Sequence, residues 1–146
     1  KTYAPNMSTL CRELVAAVGN LAADLKASGD LQNTLIVMLG EFGRTPGPLN
    51  SRGGRDHHRD AMSVVMMGGG VSGGKIIGAT DSNGANIIDP GWRQQRPIVI
   101  EDIVATAYSA LGIDWTKSIQ DTPSGRKFEY VPYGQANLYT AIEEVF

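Results

Sequence analysis

Two acids, three arginines and both histidines of the chain fall within one glycine-rich segment, LGEFGRTPGPLNSRGGRDHH, from Leu39 to His58. Hard and borderline divalent cations take carboxylate oxygen and imidazole nitrogen, and Glu41, Asp56, His57 and His58 supply both kinds of ligand. Zinc, calcium and magnesium all stay open, because the spacing is not diagnostic of any of them. There is no HExxH and no histidine pair one helical turn apart, and adjacent histidines diverge on a strand, so only one of His57 and His58 is expected to face a site. The competing use of Glu41 is an ion pair with Arg44 or Arg55 that merely fixes the loop.

Arg44, Arg52 and Arg55 flank these groups. A planar guanidinium matches phosphate, sulfate or carboxylate oxygens in a bidentate way, so the expected ligand is a phosphate- or sulfate-bearing small molecule or glycan. Arg44 stands out, since Gly43 and Thr45-Pro46 hold it in a short turn directly after Glu41; solvated surface arginine is the ordinary alternative for the other two. Asp56 beside His57 or His58 suggests general acid–base work, although no serine occupies a G-x-S-x-G context to be activated by it. Asn50 is better suited to bonding its own turn than to orienting a ligand.

A second glycine cluster, Gly68 to Gly74, satisfies the dinucleotide fingerprint as Gly68-x-Gly70-x-x-Gly73, and Gly69 to Lys75 nearly satisfies a P-loop. Both fail in context. Ile76 stands where a P-loop needs Ser or Thr for magnesium, and KIIGATDSNG reads as extended chain and turn where both motifs need a helix. Close backbone packing or a mobile loop is the expected use of these glycines, with Lys75 solvated. Asp81, directly before Ser-Asn-Gly, is placed as a tight turn selects it.

These side chains need elements to position them. Met7, Leu10, Cys11, Leu14, Val18, Leu21 and Leu25 recur at spacings of three and four, which predicts a helix from Met7 to Ala27 that Gly29 can stop and that buries Cys11 as a small core residue. TLIVML, from Thr34 to Leu39, is a short apolar run expected to form a strand covered on both faces, as parallel strands are. Glu41 then falls just past its carboxyl end, where open α/β sheets bind ligands. A further strand is expected at Met62 to Met67, a hairpin or long loop at Asp81 to Gly84, and a short extended stretch at Ile98 to Ile100. A helix opening on Glu101-Asp102 and ending at Gly112 follows, with irregular chain after it and a short helix near Ala136 to Val145.

Composition bounds the rest. With 146 residues, 42% hydrophobic and 19% charged, the chain can bury a core and matches one ordinary domain, or part of a larger one. A net charge of −2 provides no broad basic surface, which argues against nucleic acid, and no apolar run approaches the ~20 residues of a membrane crossing. Cys11 is the only cysteine, so no intramolecular disulfide forms. Nothing in the sequence fixes an oligomeric state.

The strand followed by GEFGRTP, then GRDHH, the Gly68 to Gly74 cluster, the G-x-TD-x-x-G turn of Gly78 to Gly84 and the ED-I-x-AT-x-x-x-ALGID segment of Glu101 to Asp114 together resemble domain-of-unknown-function family 1501 over essentially the whole chain. That family looks like a distant branch of the alkaline phosphatase and sulfatase superfamily. The resemblance implies the C-terminal portion of a three-layer α/β/α sandwich with a mainly parallel sheet, alkaline-phosphatase-like, cut from longer proteins that commonly begin with a twin-arginine export signal. It implies a periplasmic or extracellular parent and metal-dependent hydrolysis of a phosphate or sulfate ester. Glu41, His57 and His58 would be metal ligands, Arg44 and Asp56 catalytic, and the nucleophile would lie outside this chain, leaving the chain itself inactive. Glu41-Phe42 stands where relatives place an Asp-His metal pair. That departure supports an alternative, a non-catalytic binding or scaffold protein with a degenerate metal site.

Overall fold

The computed structural model describes residues 3–146, and the chain divides into two compact units. One takes the chain up to Gly69 together with Ala79–Ile88, and the other takes Gly70–Gly78 and Asp89–Phe146.

The first unit opens with α1 (Tyr3–Ser28). Pro5 sits in its first turn, where a missing N–H costs nothing, and Lys26 lies in its last turn, favourable against the helix dipole. The helix stops as the sequence requires: Gly29 adopts φ +84°, its N–H reaches the Lys26 carbonyl at 3.3 Å, and the Asp30 N–H reaches the Leu25 carbonyl at 2.8 Å. Only Val18, Ala22 and Leu25 are partly covered among the described side chains of this helix; Leu14 is 53% and Val15 70% exposed. Cys11, expected in the core, is exposed, as are the helix residues on either side of it.

A 3-10 turn at Leu31–Asn33 leads into β1 (Leu35–Leu39). β2 (Gly43–Arg44) and β3 (His57–His58) follow and pair with each other, and then β4 (Val64–Gly68) pairs with β1. The β1–β4 register runs Leu35↔Gly68 through Val37↔Met66 to Leu39↔Val64, and it is antiparallel. This overturns the expected three-layer α/β/α sandwich with a mainly parallel, alkaline-phosphatase-like sheet: the sheets formed by the described residues are two-stranded, with antiparallel pairing between β1 and β4 and between β2 and β3. The reason lies in the connection. A parallel pair needs a crossover, usually a helix, that returns the chain to the starting end of the sheet. Here residues 40–63 fold into the β2–β3 ribbon and its turn, with no helix, so β4 runs back along β1. β1 is accordingly half-buried rather than covered on both faces. β5 (Ala79–Thr80) and β6 (Ile87–Asp89) pair across the Asp81 turn.

The buried core lies in the second unit: Trp92, Ala105, Val131, Ala141 and Ile142, with Asp102 and Thr106 among them. α2 (Ile100–Ala110) carries both polar residues, and Gly112 with φ +70° follows its end. β7 (Ser118–Ile119) and β8 (Phe128–Glu129) pair antiparallel, and two 3-10 turns, Gly134–Ala136 and Glu143–Val145, replace the single terminal helix that the sequence suggested.

Candidate functional site

The residues with chemistry gather on the β2–β3 ribbon. Its register sets Arg44 opposite His57 and Gly43 opposite His58. Side chains directly opposite one another share a face and alternate along each strand, so Arg44 and His57 lie on one face and His58 on the other. Phe42, two residues before Arg44, joins the first face: its ring centroid is 3.6 Å from that of His57, tilted by 31°, and the Arg44 guanidinium carbon sits 4.9 Å from the same centroid. A cation over an aromatic face is attracted by the ring quadrupole and held in place by it.

Gly43 is required by the other face. A Cβ at this position would overlap the Ala61 carbonyl oxygen and press on the His58 carbonyl. His58 accepts the Asp60 N–H at Nδ1, 3.4 Å away. Its Nε2 is shielded from solvent and has no hydrogen-bond partner among the described residues.

The loop between the strands is fastened by its own polar groups. Asn50 Oδ1 accepts the N–H groups of Arg52 and Gly54, both at 3.0 Å, the turn role expected of it. Asn50 Nδ2 donates to Asp56 Oδ1 at 2.9 Å, which occupies one oxygen of that carboxylate. Arg55 Nη1 donates to the carbonyls of Thr45 and Gly47 at 2.7 and 2.8 Å, so this guanidinium closes the loop. Arg44 spends only a long 3.4 Å bond on the Arg55 carbonyl and remains exposed. Glu41 is exposed and makes no hydrogen bond or ion pair among the described residues, with Arg44, Arg55 or anything else.

The ribbon thus brings Arg44 and His57 to one face, sets His58 on the opposite face, leaves the Asp56 carboxylate with Asn50 and leaves Glu41 unengaged. No three of His, Cys, Asp and Glu converge among the described residues, and Asp56 is bonded by Asn50. Asp81 takes the turn role: its carboxylate accepts the N–H groups of Asn83 and Ala85 and the amide of Asn86, and the Asn86 side chain above all holds its pKa below the ordinary value. Lys75, expected to be solvated, donates from Nζ to the Glu144 carbonyl at 2.9 Å.

Sequence reasoning missed Phe42, weighed only as the loss of an imidazole ligand. Its signal is an aromatic residue two positions before the arginine of β2, the spacing that places both on one face of extended chain. It also missed the Arg96–Asp102 pair, whose guanidinium and carboxylate meet in two bonds of 2.7 Å.

The model of the family described as "Protein of unknown function (DUF1501)" matches residues 2–142. No curated protein and no solved structure matches the chain.

Proposed function

We propose that this chain, which belongs to the DUF1501 family, uses the β2–β3 ribbon to bind an oxyanion, a phosphate or sulfate group carried by a small molecule or glycan. The observation that carries the reading is the stack of Arg44 and His57 on Phe42. The ring holds the guanidinium beside it, and the one hydrogen bond Arg44 makes is a long 3.4 Å contact with the Arg55 carbonyl, so the group is positioned and largely available for the bidentate contact an oxyanion takes. His57 beside it adds a second donor once protonated. Arg55 and Asn50 hold the turn that keeps the two strands in register.

Binding of inorganic phosphate and of sulfate, followed by calorimetry, tests this. Arg44→Ala is expected to weaken affinity at least about tenfold, equivalent to about 1.4 kcal/mol, with Tm unchanged. Arg44→Lys retains charge but not the fork and falls in between. Unchanged affinity with a lowered Tm would make Arg44 a structural residue and end the reading.

Ester hydrolysis is the second reading, favoured by the unengaged carboxylate of Glu41. In it, Glu41 and a histidine contribute to a metal centre completed by residues from outside this chain, and the parent protein is exported. Turnover of aryl phosphate or aryl sulfate esters by the parent protein, dependent on added divalent metal and abolished by Glu41→Gln, would establish it; no turnover with anion binding intact would leave binding alone.

A further inference from the structure

Three donors of the glycine-rich loop Gly70–Gly78 end on the main-chain oxygens of Glu144, Val145 and Phe146. The Ser72 N–H donates to Val145 O at 2.8 Å, Ser72 Oγ to Phe146 O at 2.8 Å, and Lys75 Nζ to Glu144 O at 2.9 Å. The segment making these contacts is anchored elsewhere in the same unit. Arg93 pairs with Glu143, the Arg93 N–H donates to Glu144 Oε1 at 2.7 Å, and the Ile142 N–H donates to the buried Thr106 hydroxyl at 2.9 Å.

A backbone N–H, a hydroxyl and an ammonium within four residues are the kinds of donor an oxyanion takes, since each needs only an oxygen lone pair. Four of the nine loop residues are glycine, which lets the backbone close on a ligand without side-chain obstruction. The fastened state also carries a cost: the other oxygen of the Glu144 carboxylate, Oε2, is shielded and has no partner among the described residues. A shielded, unpaired carboxylate oxygen disfavours the arrangement that holds it.

We infer that residues 143–146 are an autoinhibitory strap whose main-chain oxygens, those of Glu144, Val145 and Phe146, occupy an oxyanion site on the Gly70–Gly78 loop, and that releasing the strap opens this site. The loop and the β2–β3 ribbon belong to different units, and this inference does not rest on the reading of the ribbon. Arg44→Ala is therefore used as the background, so that any gain in anion binding belongs to the loop.

The experiment compares inorganic phosphate binding by the Arg44→Ala chain with and without residues 143–146, alongside hydrogen exchange of the backbone. In the truncated chain the Ser72 amide is expected to exchange at least about tenfold faster in the absence of phosphate, and phosphate is expected to bind at least about tenfold more tightly. Lys75→Ala should abolish that gain. Amides of α2 retaining their protection shows that the unit is folded. Equal phosphate affinity in the folded, truncated chain and the intact one overturns the inference, as does a gain that survives Lys75→Ala. Should truncation unfold the unit, Arg93→Ala combined with Glu143→Ala loosens the same anchor in the full chain, and unchanged phosphate affinity with faster Ser72 exchange overturns the proposal equally.

Discussion

Asp102 is fully buried, at 0% exposure, yet every lone-pair direction its two oxygens offer is used. Arg96 donates twice, at 2.7 Å to each oxygen, the Val99 N–H donates to Oδ2 at 3.0 Å and the Thr140 N–H to Oδ1 at 3.0 Å. The Arg96 pKa is raised, first by its hydrogen bonds to Asp102. Asp102→Ala is expected to destabilise the chain by about 3–5 kcal/mol in urea denaturation, because it strands a guanidinium and two N–H groups. A loss below about 1 kcal/mol would show that the carboxylate is not what holds these groups. The sequence shows Glu101-Asp102 as a helix start, and that is what the pair is. It does not show that Asp102 turns inward, because the groups it serves stand 6 residues before and 38 residues after it. At Arg44 the sequence shows a guanidinium held in a short turn, whereas the Phe42 ring beneath it became visible only once the strand register was known.

Among the elements, the β2–β3 ribbon depends on one missing side chain. A methyl group at Gly43 would drive into the Ala61 carbonyl, so Gly43→Ala is expected to lower Tm and to weaken phosphate binding together with the Arg44 effect, measured on the same preparations. Retention of both would mean that the ribbon yields without loss of register. The exposed stretch of α1 makes the opposite case: Leu14→Glu should change unfolding free energy by no more than about 0.5 kcal/mol, since nothing described covers that side chain. Helix positions were legible because a 3.6-residue period is local, and both helices came out within a few residues of expectation. Strand direction was not, since it depends on how residues 40–63 fold. Nor was the terminal helix near Ala136 to Val145 realised: Tyr133 and Asn137 sit in the left-handed region at φ 55° and 54°, which confines the first turn to three residues.

For the whole molecule, acid is the condition that reaches most of these contacts. Asp81, Asp114 and Glu129 all have pKa values below the ordinary carboxylate range, led respectively by the Asn86 side chain, the Thr116 side chain and the Tyr133 N–H. A carboxyl group whose folded pKa is depressed contributes stability that is present above its unfolded pKa and lost as pH falls through the folded one. Tm is therefore expected to hold level from neutrality to about pH 5 and to decline below about pH 4. Asn86→Ala should flatten part of that decline; a profile identical to that of the parent chain would remove Asp81 from the account. Composition announced a buried core, but only the fold shows that its buried apolar residues, Trp92 to Ile142, lie in the second unit, because burial follows from pairings far apart in the chain.

The glycines divide by what surrounds them, and the division bears on how this sequence can drift. A side chain at Gly91, with φ +69°, would collide with the backbone nitrogen of Gly78, so in a saturation library position 91 should admit glycine alone. Gly73 has open space around it and an ordinary φ, and the same library should fill it with almost anything. Two residues identical on paper would then differ entirely in substitution tolerance, and a tally of surviving variants at 73 and 91 would map the loop's crowded flank from its free one without any structural measurement.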